Sequence, residues 1–447
     1  MPGANWLNQR PGLACIRPRA TCSPDWNSIG PAAANQADIL AFGTKPGNTF
    51  DCLDQELYSP CLVFVYPAPE RAECVPARRC RMRLDGVLGG AEEWRAGAGL
   101  ERTPMEIRKD PITRSWVLIG DGNSARAPGL PCPYCPGNEP ALPASILSVP
   151  VEGQGQIRVF PHPAPLYEIE GEADPRADGF YDTMKPVGAH EVFIETREHV
   201  SSLSVRPDEA IGKLLEAWAL RIADLKQDRR FKYITVFRNR GDLSGQQIRH
   251  PHSELTATPF IPRRILYELR SAQEYFERKE RCVICDIARQ EEQEGTRVVD
   301  VSRQYLALCP FASRVPFEMW ILPRYHHSSF EKDLLHQRGH LELAGILRRS
   351  LARLDQITEN YHLVLHTSPN TNVRSELSGY WKTIEEDYHW HIEILPITET
   401  RSKSYSIKEV YFSALSPETA AERLRGLSTV PQTPPQHPFS FPADSNG

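Results

Sequence analysis

The strongest constraint on this chain is that its second half repeats its first. REHVSSL at Arg197–Leu203 lies over RYHHSSF at Arg324–Phe330, YITVF at Tyr233–Phe237 over YHLVL at Tyr361–Leu365, and HPHSEL at His250–Leu255 over HWHIEI at His389–Ile394. Ahead of each set stands a Cys-x-x-Cys pair, Cys132/Cys135 in the first copy and Cys282/Cys285 in the second. A unit repeated in this order predicts an α+β fold of two similar half-domains about a pseudo-twofold axis, with antiparallel sheets and packed helices.

Hydrophobic periodicity fills in the halves. Strands are predicted at Trp116–Ile119, Glu191–Glu195 and Tyr233–Phe237, then at Phe317–Leu322, Tyr361–Leu365 and His389–Leu395. Helices are predicted at Asp208–Asp228, where Ile211, Leu214, Leu215, Trp218 and Ile222 share one face, near Arg264–Lys279, and at Leu341–Ile357. The boundaries that follow are an N-terminal half at 105–262 and a C-terminal half at 263–428. Residues 1–104 show neither period and are left unassigned, either as an extra disordered segment or as the product of a start site upstream of Met105. The run Pro431, Pro434, Pro435, Pro438 and Pro442 marks 429–447 as a tail that cannot continue a helix.

Composition excludes several classes. A net charge of -5 gives no electrostatic case for nucleic acid as a partner. No run approaches the roughly 20 apolar residues of a membrane helix, and Leu62–Tyr66 is strand-sized. The opening residues lack the basic start and apolar core of a secretory signal, so a cytoplasmic protein is expected. In that setting eleven cysteines, an odd number with four in Cys-x-x-Cys pairs, point to metal rather than disulfides.

Zinc takes four tetrahedral ligands from thiolate and imidazole, and the first copy offers Cys132, Cys135, His199 and His250. The overlay offers Cys282, Cys285, His326 and His389 for a second zinc, with His327, His362 and His366 as competitors. A His-x-His strand turns both imidazoles to one face, so one ring can hold metal while the other meets substrate. A neutral imidazole whose Nδ1–H is held by an acceptor attacks phosphorus through Nε2, which makes His252 the candidate nucleophile. The preceding Asn239, Gly241 and Gly245 form a loop able to bring backbone N–H groups to phosphate oxygens.

CPYCPGNE at 132–139, GAHEVFIETREH at 188–199, FRNRGDLSGQQIRHPHSEL at 237–255 and YHWHIEILP at 388–396 resemble the galactose-1-phosphate uridylyltransferase family of the histidine-triad superfamily, with its relative ADP-glucose phosphorylase. The likeness runs from about Met105 to Leu427, with IRKDPITRSWVLIG at 107–120 and SPETAAERL at 416–424. It implies duplicated histidine-triad (HIT-like) half-domains stapled by zinc, and a ping-pong nucleotidyl transfer. In that transfer His252 attacks the α-phosphorus of UDP-glucose, expels glucose 1-phosphate, and passes the uridylyl group to a sugar 1-phosphate, with galactose 1-phosphate first in line. It further implies Arg126 and Asn239 as nucleotide contacts, Gly245, Gln246, Gln247 and Glu254 around the phosphate, and pairing as a homodimer. Some relatives hold iron in the second half, at positions matching Glu268, His366, His389 and His391. Rival readings are a nucleotide-sugar phosphorylase using inorganic phosphate and a nucleotide-binding protein without catalysis.

Three departures from the family pattern matter. Glu254 stands where the family has a phosphoryl-donating glutamine, so its carboxylate must be protonated, turned away, or replaced in its role by Gln246 or Gln247. Gln247 replaces a serine, and Ser404–Lys408 lacks the hexose-gripping glutamate. The glycines of Gly86–Gly99 lack a flanking strand and helix and are not expected to form a phosphate loop. Trp218, Trp320 and Trp381 are expected to pack, and the pairs Arg263/Arg264 and Arg348/Arg349 to lie on solvated helix faces.

Overall fold

The computed structural model describes residues 105–120, 131–138, 142–336, 340–373, 382–398 and 410–430. The unassigned residues 1–104, Arg126, Trp381, Ser404–Lys408 and most of the proline tail lie outside them, and all described residues belong to one unit spanning Gly90–Gly447. The first half contains strands β1 (Glu106–Lys109), β2 (Trp116–Ile119), β3 (Leu147–Val151), β4 (Gly155–Pro161), β5 (Arg176–Asp178), β6 (Tyr181–Met184) and β7 (Ala189–Ile194). Helix α1 (Asp208–Leu225) and strands β8 (Tyr233–Arg240) and β9 (His252–Thr258) complete it. The second half begins with helices α2 (Arg263–Lys279) and α3 (Val283–Glu294), then β10 (Val298–Val301), β11 (Tyr305–Leu308) and β12 (Met319–Pro323). It continues through α4 (Phe330–His336), α5 (His340–Leu354), β13 (Tyr361–His366), α6 (Ile384–Asp387), β14 (His391–Pro396) and α7 (Pro417–Gly426).

Ten strands form one antiparallel sheet in the order β10-β11-β12-β14-β13-β8-β9-β7-β4-β3. From either edge inward the same sequence of elements appears, β3-β4-β7-β9-β8 against β10-β11-β12-β14-β13. The central pair β8 and β13 meets antiparallel, with Tyr361 opposite Arg240 and Leu365 opposite Val236. Strands β2-β1-β6-β5 make a separate small sheet. Among the described residues no helix is long and apolar enough to cross a membrane.

One face of the large sheet carries the main core. Leu255 and Ala257 of β9, Leu363 and Leu365 of β13, and Ile392 and Ile394 of β14 are fully buried with Leu214, Trp218 and Ile222 of α1 and Leu343 and Leu347 of α5. Because side-chain direction alternates along a strand, the intervening residues His252, Glu254, His391 and Glu393 point to the opposite face. Trp218 ties the two layers: its indole N–H donates to Ser253 Oγ at 2.9 Å, satisfying the polar end of a ring that is otherwise core.

Helix α1 starts after Pro207 with Asp208 and Glu209 in its first turn, where carboxylates suit the helix dipole. It stops before the predicted end because Lys226 turns inward to Glu331 and the Ser368 carbonyl, each at 2.7 Å. A buried ammonium needs both partners, and that requirement outweighs the helical pattern of the next two residues. The second Cys-x-x-Cys also differs from expectation. It opens α3, with Cys282 as the N-cap residue and Gly295 closing the helix in the left-handed conformation. Neither arginine pair is a free solvated face: Arg264 meets Glu393 and Glu268, Arg348 meets Asp208, and Arg349 meets Asp300.

Candidate functional site

The Cys-x-x-Cys loop at 132–135 folds into a turn, with Asn138 donating its side-chain N–H to the Cys132 carbonyl at 2.7 Å. His199 follows β7 and His250 precedes β9, so the loop and the ends of two neighbouring strands converge. Cys135 Sγ lies 3.3 Å from His199 Nδ1 and 3.7 Å from His250 Nδ1, and Cys132 Sγ lies 3.7 Å from His250 Nδ1. Tetrahedral zinc, with Zn–S of about 2.3 Å and Zn–N of about 2.0 Å, separates S and N ligands by about 3.6 Å. The donor set therefore fits. His250 Nε2 faces the Thr196 carbonyl at 2.8 Å, so that nitrogen carries the proton and Nδ1 presents its lone pair to the thiols.

A second cluster repeats this arrangement. Cys285 Sγ is 3.5 Å from His326 Nδ1 and 3.4 Å from His389 Nδ1, while Cys282 Sγ is 3.8 Å from His389 Nδ1. The outer nitrogens again face carbonyls, His326 that of Glu385 at 2.8 Å and His389 that of Pro323 at 3.1 Å. The competing histidines are engaged elsewhere. His327 faces Asp333 at 3.4 Å, and His362 Nδ1 bonds Asn239 Oδ1 at 2.8 Å.

His366 belongs to a third cluster with Glu268, His391 and Glu393, whose ligand atoms all lie within 4.8 Å of one another. This corrects the expected iron set: His389 is replaced by Glu393. His389 lies ahead of β14 and turns to the thiols, whereas His391 opens β14 and strand alternation puts Glu393 beside it. Arg264 and Arg314 each reach Glu393 at 2.8 Å and, with His366, hold its carboxyl well below the carboxylate range against the effect of burial. A cavity of about 620 Å³ opens here, lined by Arg264, Tyr267, Glu268, Trp320, His391 and Glu393.

His252 is the first residue of β9, so the His-x-His motif is not a strand throughout. Pro251 has no N–H to give a ladder, and the strand begins after it. Its ring is aimed instead by Nδ1, which donates to the His250 carbonyl at 2.8 Å and leaves Nε2 facing Glu254 Oε1 at 3.3 Å. Glu254 is neither protonated nor turned away. Burial would raise its pKa, yet the bond from His190 outweighs that and holds it down at about 2. Its other oxygen, Oε2, lies 3.0 Å from His190 Nε2 on β7 and 3.9 Å from His162 Nε2 just past β4. The two imidazoles stack at 4.0 Å between centroids, and burial lowers His162 to about 4.

The loop before the nucleophile is closed on itself. Gly241 N–H donates to Gln246 Oε1 at 3.0 Å, Gln246 Nε2 donates to the Ile248 carbonyl at 2.8 Å, and Leu243 N–H donates to Asn360 Oδ1 at 3.0 Å. Gln246 is thus committed to the loop, while Gln247 and Gly245 are exposed on it. Asn239 shares its bond with His362 across the central strand pair. The sequence reading missed His162, His190 and Glu393. Strand alternation from Val192 back to His190, and from His391 on to Glu393, is the signal that finds two of them; nothing local marks His162.

The model of the galactose-1-phosphate uridyl transferase N-terminal domain matches residues 166–262. The ADP-glucose phosphorylase of Arabidopsis thaliana is 28% identical over 350 residues, covering 74% of this chain and 95% of the relative. The galactose-1-phosphate uridylyltransferase of Thermotoga maritima is 29% identical over 335 residues, covering 72% and 98%. Among solved structures, a uridylyltransferase superposes with a TM-score of 0.60 at 27% identity, covering 72% of this chain and 98% of that one. The Arabidopsis thaliana ADP-glucose phosphorylase with bound ADP-glucose superposes with a TM-score of 0.57 at 27% identity, covering 72% and 99%. By sequence and by fold, this chain is similar to the galactose-1-phosphate uridylyltransferases and to ADP-glucose phosphorylase.

Proposed function

We propose that the protein is a nucleotidyltransferase that moves a uridylyl group from UDP-glucose to a hexose 1-phosphate, galactose 1-phosphate first, through His252. The observation that carries this reading is the His252 ring. Its Nδ1–H is fixed on the His250 carbonyl, so Nε2 is the only ring nitrogen that can reach phosphorus. In the first step the Nε2 lone pair forms the N–P bond and the P–O bond to glucose 1-phosphate breaks; in the second the incoming phosphate oxygen displaces Nε2. Splitting one displacement between anions into two steps on a positioned imidazole lowers the orientational cost of each.

Cys132, Cys135, His199 and His250 would hold one zinc, and Cys282, Cys285, His326 and His389 a second. The ions would supply fixed cations that pin the loops. Glu268, His366, His391 and Glu393 offer oxygen and nitrogen ligands suited to iron or another divalent metal. Asn239, Gly245 and Gln247, with Arg126, are kept as candidate nucleotide and phosphate contacts. The mirrored strand order supports two HIT-like halves at 105–262 and 263–428, and a cytoplasmic homodimer remains the expected setting.

The second reading, a phosphorylase that uses inorganic phosphate, is favoured by the likeness to ADP-glucose phosphorylase over 95% of that relative. One experiment addresses both. The protein is incubated with base-labelled UDP-glucose or ADP-glucose, acid-labile label on histidine is trapped, and the adduct is chased with galactose 1-phosphate or orthophosphate. The expected result is an adduct lost in His252→Gly and discharged by galactose 1-phosphate. Discharge by orthophosphate alone selects the phosphorylase, and an unlabelled wild-type protein refutes transfer.

A further inference from the structure

We propose that the Nε2–H groups of His190 and His162 are the donors that take the phosphoryl oxygens during transfer, and that the Glu254 carboxylate fills their anion seat in the resting site. The inference rests on the nucleotidyl-transfer reading above and names residues that reading does not use. The argument starts from tautomers. His190 Nδ1 accepts the Leu166 backbone N–H at 3.2 Å, and His162 Nδ1 accepts the Ala164 backbone N–H at 3.2 Å. A backbone N–H can only donate, so each Nδ1 is unprotonated and each ring proton sits on Nε2. Both Nε2 atoms are therefore N–H groups: that of His190 donates to Glu254 Oε2 at 3.0 Å, and that of His162 lies 3.9 Å from the same oxygen.

The same tautomers exclude the obvious alternative. His162, His190 and Glu254 lie close enough to hold a metal ion, but a ligating imidazole nitrogen must present a lone pair, and Nε2 of each ring carries a hydrogen. What remains is a pair of N–H groups on rings each more than nine-tenths buried, one bonded to and one beside an anion whose other oxygen is 3.3 Å from the nucleophile. That is the place a phosphoryl group must enter for Nε2 of His252 to reach phosphorus. Donors preorganised in a buried site stabilise developing phosphoryl charge without reorganising, which is what the missing glutamine would otherwise supply. Glu254 must leave this seat before substrate occupies it, so the resting protein competes with its own substrate.

Two readouts test this on the full-length protein. Orthophosphate binding is measured by calorimetry for the wild type, Glu254→Ala, Glu254→Ala/His190→Phe and Glu254→Ala/His190→Gln. Glu254→Ala is expected to bind at least about tenfold tighter than wild type, His190→Phe to erase that gain, and His190→Gln, which keeps an N–H, to retain part of it. In parallel, the rate of His252 labelling at saturating nucleotide sugar is expected to fall about 100-fold in His190→Phe at unchanged metal content and melting temperature. Unchanged phosphate affinity in Glu254→Ala, or wild-type labelling in His190→Phe, overturns the inference. The phosphate pattern without any wild-type adduct supports the anion seat and refutes the transfer reading instead.

Discussion

Gly241 offers the sharpest test of how the loop before the nucleophile is held. Its backbone sits at φ 84°, ψ 157°, a conformation essentially reserved for glycine. A Cβ added there would collide with the Asn360 side-chain oxygen and stand 3.0 Å from Asn360 Cα. Asn360 cannot retreat freely, because its Oδ1 accepts the Leu243 N–H at 3.0 Å. In Gly241→Ala the conformational strain is about 1–3 kcal/mol. The loss of the Leu243 bond adds about 1 kcal/mol, since Leu243 is exposed and its N–H can turn to water. The expected destabilisation is therefore about 2–4 kcal/mol. Gly245→Ala is the control: its φ is also positive, at 75°, but nothing lies within 4 Å of the added Cβ, so about 1 kcal/mol is expected. Urea unfolding of both variants measures the difference. Asn360→Ala in the Gly241→Ala background should recover the collision but not the strain. Equal losses in the two glycine variants, or a Gly241→Ala loss below about 0.5 kcal/mol, would refute the account.

Two further outcomes follow from the electrostatics and the thiols. His162 titrates near 4 in the folded protein against an ordinary 6.5, so the unfolded chain takes the proton first and stability falls as pH drops from 6.5 to about 4. His162→Gln should remove about 3 kcal/mol of that pH-dependent loss, and identical urea midpoints against pH in variant and wild type would count against it. Cys285→Ser should lose about one equivalent of bound metal by elemental analysis while the Cys132 cluster keeps its own; structural zinc contributes about 10–16 kcal/mol of apparent binding, so a marked drop in melting temperature should accompany the loss. Unchanged metal content in Cys285→Ser would rule out the second zinc.

Much of the fold was legible because the repeated motifs constrain it. The overlay of His199 on His326 and of His250 on His389 identified both thiol and imidazole clusters before any geometry was known, and strand β2 is predicted to the residue. Other elements carry weak local signals. Strands β5 and β6 are only 3 and 4 residues long and largely exposed, which gives periodicity too little to act on. Helix α3 was hidden because a Cys-x-x-Cys reads as a loop whether or not a helix starts inside it. The site was illegible where it depends on contacts between strands. His162 lies just past β4, and His190 and Glu254 come from β7 and β9; the roles of the two histidines follow from which backbone N–H each Nδ1 accepts, a fact no residue type reveals.

The mirrored strand order allows the two halves to be compared as candidates for catalysis. His252 and Glu254 on β9 occupy the same places as His391 and Glu393 on β14, and both histidines donate Nδ1–H to the carbonyl two residues earlier. The copies diverge in what holds the carboxylate. Glu393 is 1% exposed and gripped by two guanidinium groups, Arg264 and Arg314, each at 2.8 Å. Arg314 is the more buried of the two, and removing one partner from a buried charge pair costs about 3–5 kcal/mol, so that carboxylate does not yield its place to a phosphate. Glu254 accepts a hydrogen bond from the neutral imidazole of His190 at 3.0 Å, which brings no full opposing charge such as each guanidinium brings to Glu393. An entering phosphoryl group takes over the same donors when Glu254 leaves, so the exchange recovers what it gives up. The first copy can open its seat to substrate, whereas arginine locks that of the second.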